Sequence, residues 1–223
     1  MRQLAAGVYQ LRGFPPIAIN VYLAGGVLIA AGTRRSERRI MRQIAGYEVV
    51  AHALTHAHAD HQGSSHAVCE RLGIPLWCGA GDVRAMEKPG GVAGAMPPTW
   101  ATFVQRRFWT GPPHPVARSL AEGDRVGDFT VIETPGHSPG HVAFWRDSDH
   151  TLVLGDVLSN VNLLTGVPGL HEPPVAFTPD PPRNRRSARR LAALEPGIVC
   201  FGHGPPLRDA RRLADFVAGL PED

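Results

Sequence analysis

The stretch "LTHAHADHQG", residues 54–63, decides how this chain is read. It sets three histidines and one aspartate between His56 and His61, directly after the apolar "VVAHAL". In an extended segment, residues two apart point to the same side. His56, His58 and Asp60 therefore project together from a strand's end, and His61 turns in as the next helix begins. Imidazole nitrogen and carboxylate oxygen suit zinc and similar divalent ions. A strand end cannot arrange four such groups tetrahedrally around one ion. Two ions, each completed by residues from elsewhere in the chain, resolve that geometry.

Three later segments offer the missing ligands. "ETPGHSPGH" puts His137 in a turn bounded by glycine and proline. "LVLGDVL" puts Asp156 at the end of an apolar strand, where a lone carboxylate is costly without a partner. "VCFGHGPP" puts His203 between glycines in the same context. Each alone has a plain structural reading, as a turn histidine or a capping aspartate. The ordered set His-x-His-x-Asp-His, Gly-His, Gly-Asp, Gly-His-Gly, each after an apolar run, argues for one shared site.

The surrounding sequence reads as a single domain over residues 1–223, 43% hydrophobic and 19% charged, which is a globular balance. Strands are expected at "GVYQLR", "IAINVYLA", "VLIAAG", "EVVAHALT", "IPLWCG", "DFTVIETP", "HVAFWRD", "HTLVLGD" and "GIVCFGHG". Helices are expected at 34–45, over "GSSHAVCERLG" up to Gly73, at about 184–195, and over "RDARRLADFVAGL". Residues 88–118 and 158–183 read as long irregular connections, the first of them a lid, a binding loop or a surface excursion pinned by its own aromatics. A strand-rich half followed by helix occurs twice, which predicts two packed sheets with helices outside. Cys69, Cys78 and Cys200 are too few and too widely spaced for a disulfide framework, and the start lacks the apolar core of a signal peptide. No apolar run approaches the ~18 residues of a membrane span, so a cytoplasmic protein without membrane contact is expected.

With the ligand set in place, the sequence resembles the metallo-β-lactamase superfamily, and within it the glyoxalase-II-like metallo-hydrolases. The resemblance runs from "NVYLA" to "FGHGPPLRD". It implies an α/β (α+β) fold, a four-layer αββα sandwich of two mixed β-sheets flanked by helices, with the metals along one edge. It also implies that His56, His58 and His137 hold one metal, that Asp60, His61 and His203 hold the other, and that Asp156 bridges them. Many members carry Asp-Thr-Gly or Asp-Ser-Gly after the third strand, where this chain has Ala30-Ala31-Gly32. The aspartate helps orient the site, and such partners are often worth roughly 10–100-fold in metal affinity, but its loss removes no ligand. The commonest zinc β-lactamases place cysteine where Asp156 stands. Only 20 residues follow His203, so the C-terminal helical glutathione-binding domain of full glyoxalase II enzymes is not expected.

The expected chemistry is hydrolysis of an ester, thioester or lactone of a small molecule by a hydroxide that two divalent ions activate. Zinc is the first expectation, with iron or manganese compatible with the same donors. Asp60 ligates and also orients the nucleophile or receives its proton. A mononuclear iron persulfide dioxygenase is the rival on this scaffold, and the complete second ligand set argues against it. Phosphodiester cleavage on nucleic acid is the rival from another class. Arg183, Arg185, Arg186, Arg189 and Arg190 form a basic run, but no interleaved aromatics accompany it, so no nucleic-acid partner is expected. A homo-oligomer remains compatible with the sequence.

Substrate contacts are sought in the irregular segments, because the scaffold fixes the metals and the loops fix the pocket. His171 in "GLHEPP" is a candidate, as are Trp100 and Trp109, which with Phe103 and Phe108 either wall an acyl pocket or pack in the core. His141 and His52 read as structural histidines, and His66, His114 and His150 are given no role.

Overall fold

The computed structural model describes residues 1–13, 15–163 and 165–222. The first half builds a seven-stranded sheet in the order β1 (Arg2–Ala5), β2 (Val8–Gln10), β3 (Tyr22–Ala24), β4 (Val27–Ile29), β5 (Ala51–Ala53), β6 (Leu76–Gly79) and β7 (Arg118–Leu120). Pairing is antiparallel from β1 to β4 and parallel from β4 to β7. Between these strands lie α1 (Glu37–Ile44), α2 (Ala59–Gln62), α3 (Ser65–Leu72), α4 (Val83–Glu87) and α5 (Trp100–Trp109). Gly73 ends α3 in the left-handed conformation, φ 64°, with its N–H donated to the Cys69 carbonyl, the stop its sequence position signals.

The second half contributes β8 (Arg125–Val126), β9 (Phe129–Glu133), β10 (Val142–Arg146), β11 (Thr151–Gly155), the ribbon β12 (Ser159–Val161) and β13 (Pro168–His171), then α6 (Pro181–Ala192), β14 (Ile198–Phe201) and α7 (Ala210–Ala218). Its main sheet runs β14-β11-β10-β9-β8, with β11 and β14 parallel and the other pairs antiparallel. Both large sheets are therefore mixed.

Alternation along the strands places the layers. Val131, Val142, Phe144 and Val153 face Val8, Tyr22, Val27 and Ile29 across the inter-sheet core. Their neighbours Ile132, Ala143, Trp145 and Leu152 face outward onto Leu191 of α6 and Leu213 and Val217 of α7. On the other side Leu23 and Leu28 pack against Ile40 and Ile44 of α1 and Val68 of α3. The result is the expected four-layer αββα sandwich, each fully buried aliphatic or Phe side chain contributing about 1.5–3 kcal/mol.

Residues 88–118, expected as a long irregular connection, hold more regular structure than that reading gave them. They contain α5, capped by a reciprocal Thr99–Thr102 box, and the aromatics turn outward rather than into the core: Trp100 is 77% exposed and Phe108 54%. The helix expected at about 184–195 begins earlier, at Pro181, where Asp180 accepts from the Arg183 N–H. Three arginines of that run are engaged within the chain. Arg185 pairs with Glu172 at 2.7 Å, Arg190 with Glu122 at 2.6 Å, and Arg189 donates to the Leu220 and Pro221 carbonyls. Among the described residues no helix is long and apolar enough to cross a membrane, and all three cysteines are free and buried.

Candidate metal centre

Four segments carrying the candidate ligands emerge where β5, β9, β11 and β14 end, and they meet in one buried cluster. Three trios each offer ligand atoms within 4.8 Å of one another: His56, His58 and His137; His56, His61 and Asp156; Asp60, His61 and His203. The Asp156 Oδ2 sits among them. It lies 3.0 Å from His203 Nε2, 3.4 Å from His61 Nε2, 3.5 Å from His137 Nε2 and 3.8 Å from His56 Nε2. Asp60 Oδ2 is 3.4 Å from His203 Nε2 and 3.8 Å from His61 Nε2. The seven side chains read from the sequence are thus brought together, with Asp156 between the two groups.

Four of the five imidazoles are turned by a bond at the outer nitrogen, as ligating histidines usually are. His56 Nδ1 meets Thr55 Oγ1 at 3.0 Å, His137 Nδ1 meets Thr178 Oγ1 at 3.1 Å, and His58 Nε2 meets the Ala95 carbonyl at 2.9 Å. His203 Nδ1 bonds the Ala18 carbonyl. The inner nitrogens of His56 and His137 are buried and make no hydrogen bond, and Asp156 Oδ1 is likewise without one. Buried polar atoms are rarely left so. Unpaired lone pairs converging with carboxylates are what a divalent ion requires, so the donor set fits the metals the sequence implies.

The electrostatics agree. Burial pushes His56 well below the ordinary imidazole value, and the neighbouring His61 and His58 push the same way. Burial likewise takes His58 down to about 3. Such groups keep their lone pairs free for a cation. Burial opposes ionisation of Asp156, yet His203 and His61 hold its carboxyl well below the usual range.

Several positioning residues carry no motif. Asp82, fully buried, accepts from the Ala57 N–H at 2.9 Å and the Ser138 hydroxyl at 2.7 Å through Oδ2, and from the Gly140 N–H at 2.9 Å through Oδ1. It ties the loop of His56 and His58 to the turn of His137. His141, read as structural, bonds Thr134 Oγ1 at 2.7 Å and accepts the Asp156 backbone N–H at 3.1 Å, so it anchors the main chain of Asp156. His52, also read as structural, is buried between the Leu28 carbonyl and Ser65 Oγ. Gly202 is glycine because a Cβ there would meet Asp156 Oδ1 at 1.8 Å.

The cleft over the cluster is lined by His58, Asp60, His137, Asp156 and His203 together with Gln105, Leu163, Pro174 and Phe177. The expected substrate residues are elsewhere: Trp100, Trp109 and His171 are not among its lining. α5 does reach the cleft, but through Gln105 on its inner side, while Trp100 stacks on Phe103 outside. A larger groove between α1 and α3, lined by Arg38, Arg42 and Tyr47, holds none of the cluster's residues.

Sandwich and cluster together define the class. The chain belongs to the metallo-β-lactamase superfamily, whose family model matches residues 15–203, and by class it is a metallo-hydrolase. Among its relatives, the probable metallo-hydrolase YflN of Bacillus subtilis (strain 168) is 30% identical over 210 residues, 86% of this chain and 80% of that protein. A hydroxyacylglutathione hydrolase of Rhodospirillum rubrum is 31% identical over 114 residues, 49% of this chain but 34% of that enzyme. Among solved structures, a metallo-β-lactamase family protein of Thermus thermophilus superposes with TM-score 0.70 at 25% identity, covering 97% of this chain and 80% of that one. Another, solved in a di-iron-bound form, gives TM-score 0.62 at 31% identity, covering 90% of this chain and 88% of its own.

Proposed function

We propose that the chain hydrolyses an ester, thioester or lactone of a small molecule at a dinuclear centre held by His56, His58 and His137 on one side and Asp60, His61 and His203 on the other. The observation that carries this is the Asp156 carboxylate, within 3.8 Å of four imidazole nitrogens drawn from both groups. A single ion would leave one group of ligands unused. Bound divalent ions lower the pKa of a water and polarise a carbonyl oxygen. Asp60, which lines the cleft, would orient that water and take its proton at the carboxylate oxygen not turned toward His61 and His203. Phe177, Leu163 and Pro174 shape an apolar wall that limits water around the acyl group. Gln105, whose Oε1 is buried without a partner, offers an amide to a polar group of the substrate.

The hydroxyacylglutathione hydrolase among the relatives supports an acyl compound as substrate. The histidine and carboxylate donors accept zinc or iron, and zinc remains our first assignment. Engagement of Arg185, Arg189 and Arg190 within the chain supports a small molecule over nucleic acid.

The test compares wild type with a His56→Ala/His203→Ala double variant, each purified without chelator. The variant should retain two fewer ions per chain by elemental analysis and lose turnover across a panel of lactones, thioesters and esters. Equal ion content and equal turnover in the two proteins would refute the assignment. A wild type that cleaves bare RNA in a salt-dependent way, and none of the panel, would move the reading to phosphodiesters.

A further inference from the structure

A second group of metal-ligating side chains lies outside the centre. His66 and Glu70 are four residues apart on α3 and so share one face of the helix. His114 comes to them from the segment between α5 and β7. His66 Nδ1 is 3.2 Å from His114 Nδ1, and His114 Nδ1 is 3.8 Å from Glu70 Oε1. One ligand atom from each of the three lies within 4.8 Å of the others.

The spacing suits an ion. Zinc–nitrogen bonds of about 2.0–2.1 Å at a tetrahedral angle separate two ligand nitrogens by roughly 3.3–3.4 Å. The two imidazoles are already near that distance. Glu70 needs only a small rotation, and its side chain is 64% exposed and free to make it. A bare hydrogen bond between the rings would account for the histidines but not for the carboxylate converging on the same point. Two imidazoles and one carboxylate favour zinc, copper, nickel or cobalt over magnesium or calcium.

We propose that His66, Glu70 and His114 form a separate mononuclear site for a borderline divalent ion such as zinc, completed by water. Its consequence is mechanical. His114 is fixed at its backbone by donation to the Met86 carbonyl at 2.8 Å, and Gly111 lies hard against the Gly63 carbonyl. An ion at this trio clips the segment after α5 to α3, the helix that follows the His56–His61 loop. It therefore braces the excursion that brings Gln105 to the cleft, and binding to the folded state alone raises stability by mass action.

The experiment strips the full chain of metal with chelator and titrates it with zinc. Retained ions are counted by elemental analysis, and thermal midpoints are read with and without zinc. Glu70→Gln and His114→Gln should each retain one ion fewer than wild type, with unchanged far-UV circular dichroism and a smaller zinc-induced rise in midpoint. The affinity loss at this site should exceed the roughly tenfold typical when a ligand's hydrogen-bond partner is removed. The His56→Ala/His203→Ala chain should still take one ion at the trio, which separates this proposal from the dinuclear reading. Equal counts in wild type and both single variants would overturn the site. A Glu70→Gln chain that binds as wild type does would overturn the three-ligand assignment.

Discussion

Asp82→Asn is the sharpest probe of how the centre is held. The carboxylate receives three donors in a fully buried position: Ala57 N–H and Ser138 hydroxyl on one oxygen, Gly140 N–H on the other. Burial pushes its carboxyl above the ordinary range, against those three bonds, which favour the ionised form. An asparagine can keep its oxygen where two donors point, but its NH2 then faces the Gly140 N–H, donor against donor. Two buried N–H groups are left unpaired or displaced, at about 1–3 kcal/mol each. Removing a buried charge offsets part of that, leaving about 2–4 kcal/mol of expected destabilisation. Because Ala57 lies between two candidate ligands, His56 and His58, and Ser138 follows a third, His137, the loops that carry them also lose their common tie. Metal affinity should fall by roughly 10–100-fold. Urea unfolding of the metal-free protein reads the first quantity, and competition with a chromophoric chelator the second. If the variant matched wild type in both unfolding midpoint and affinity, the carboxylate would not be the clamp described.

Three further outcomes are expected. Burial takes the His52 pKa from 6.5 down to about 4, so the unfolded chain binds the proton more readily, and stability falls as pH drops from about 6.5 to about 4. That loss is about 3 kcal/mol from this group, and urea midpoints against pH should slope less for His52→Gln than for wild type. Gly202→Ala places a methyl group 1.8 Å from Asp156 Oδ1 and 2.9 Å from His61 Cε1. Chelator competition should show a metal affinity at least about tenfold weaker; an unchanged value would mean that the ligand loops yield more easily than their burial implies. Gln105→Ala should raise KM by about 3–10-fold, the worth of one hydrogen bond, and leave metal content untouched. A change in metal content instead would make Gln105 part of the ligand support.

The candidate ligands were legible because each segment carrying them follows an apolar strand. β5, β9, β11 and β14 are followed within a few residues by His56, His137, Asp156 and His203, and a polar group in that position stands out against its run. Their supports were not, because they are made across long sequence distances. Thr178 is 41 residues from the His137 it turns, the Ala95 carbonyl is 37 from His58, and Asp82 is 56 from Ser138. No local pattern encodes such a pairing. α5 did carry a signal. Pro97-Pro98-Thr99 followed by ten residues without glycine or proline is a helix start, but six prolines across 88–118 obscured it. Trp100 and Trp109 are the large apolar groups of this segment, yet their positions along α5 turn them away from the cleft and leave Gln105 facing it.

The Ala30 position shows how backbone and side chain divide one task. His61 Nδ1 is buried with no hydrogen-bond partner among the described residues, whereas the other four imidazoles of the centre have their outer nitrogens bonded. Ala30 keeps φ at 62° and Gly32 at 64°, a left-handed bend that costs an alanine roughly 1–2 kcal/mol. That cost is tolerated because the bend aims Ala31 N–H at the His61 carbonyl, 2.6 Å away, and the Gly32 carbonyl at Gly63 N–H, 2.8 Å away. The turn after β4 thus fixes the main chain of α2 on both sides of Gln62. His61 is positioned by its peptide and its packing rather than by a bond at its outer nitrogen, so the strained turn holds His61 although Ala30 brings no carboxylate.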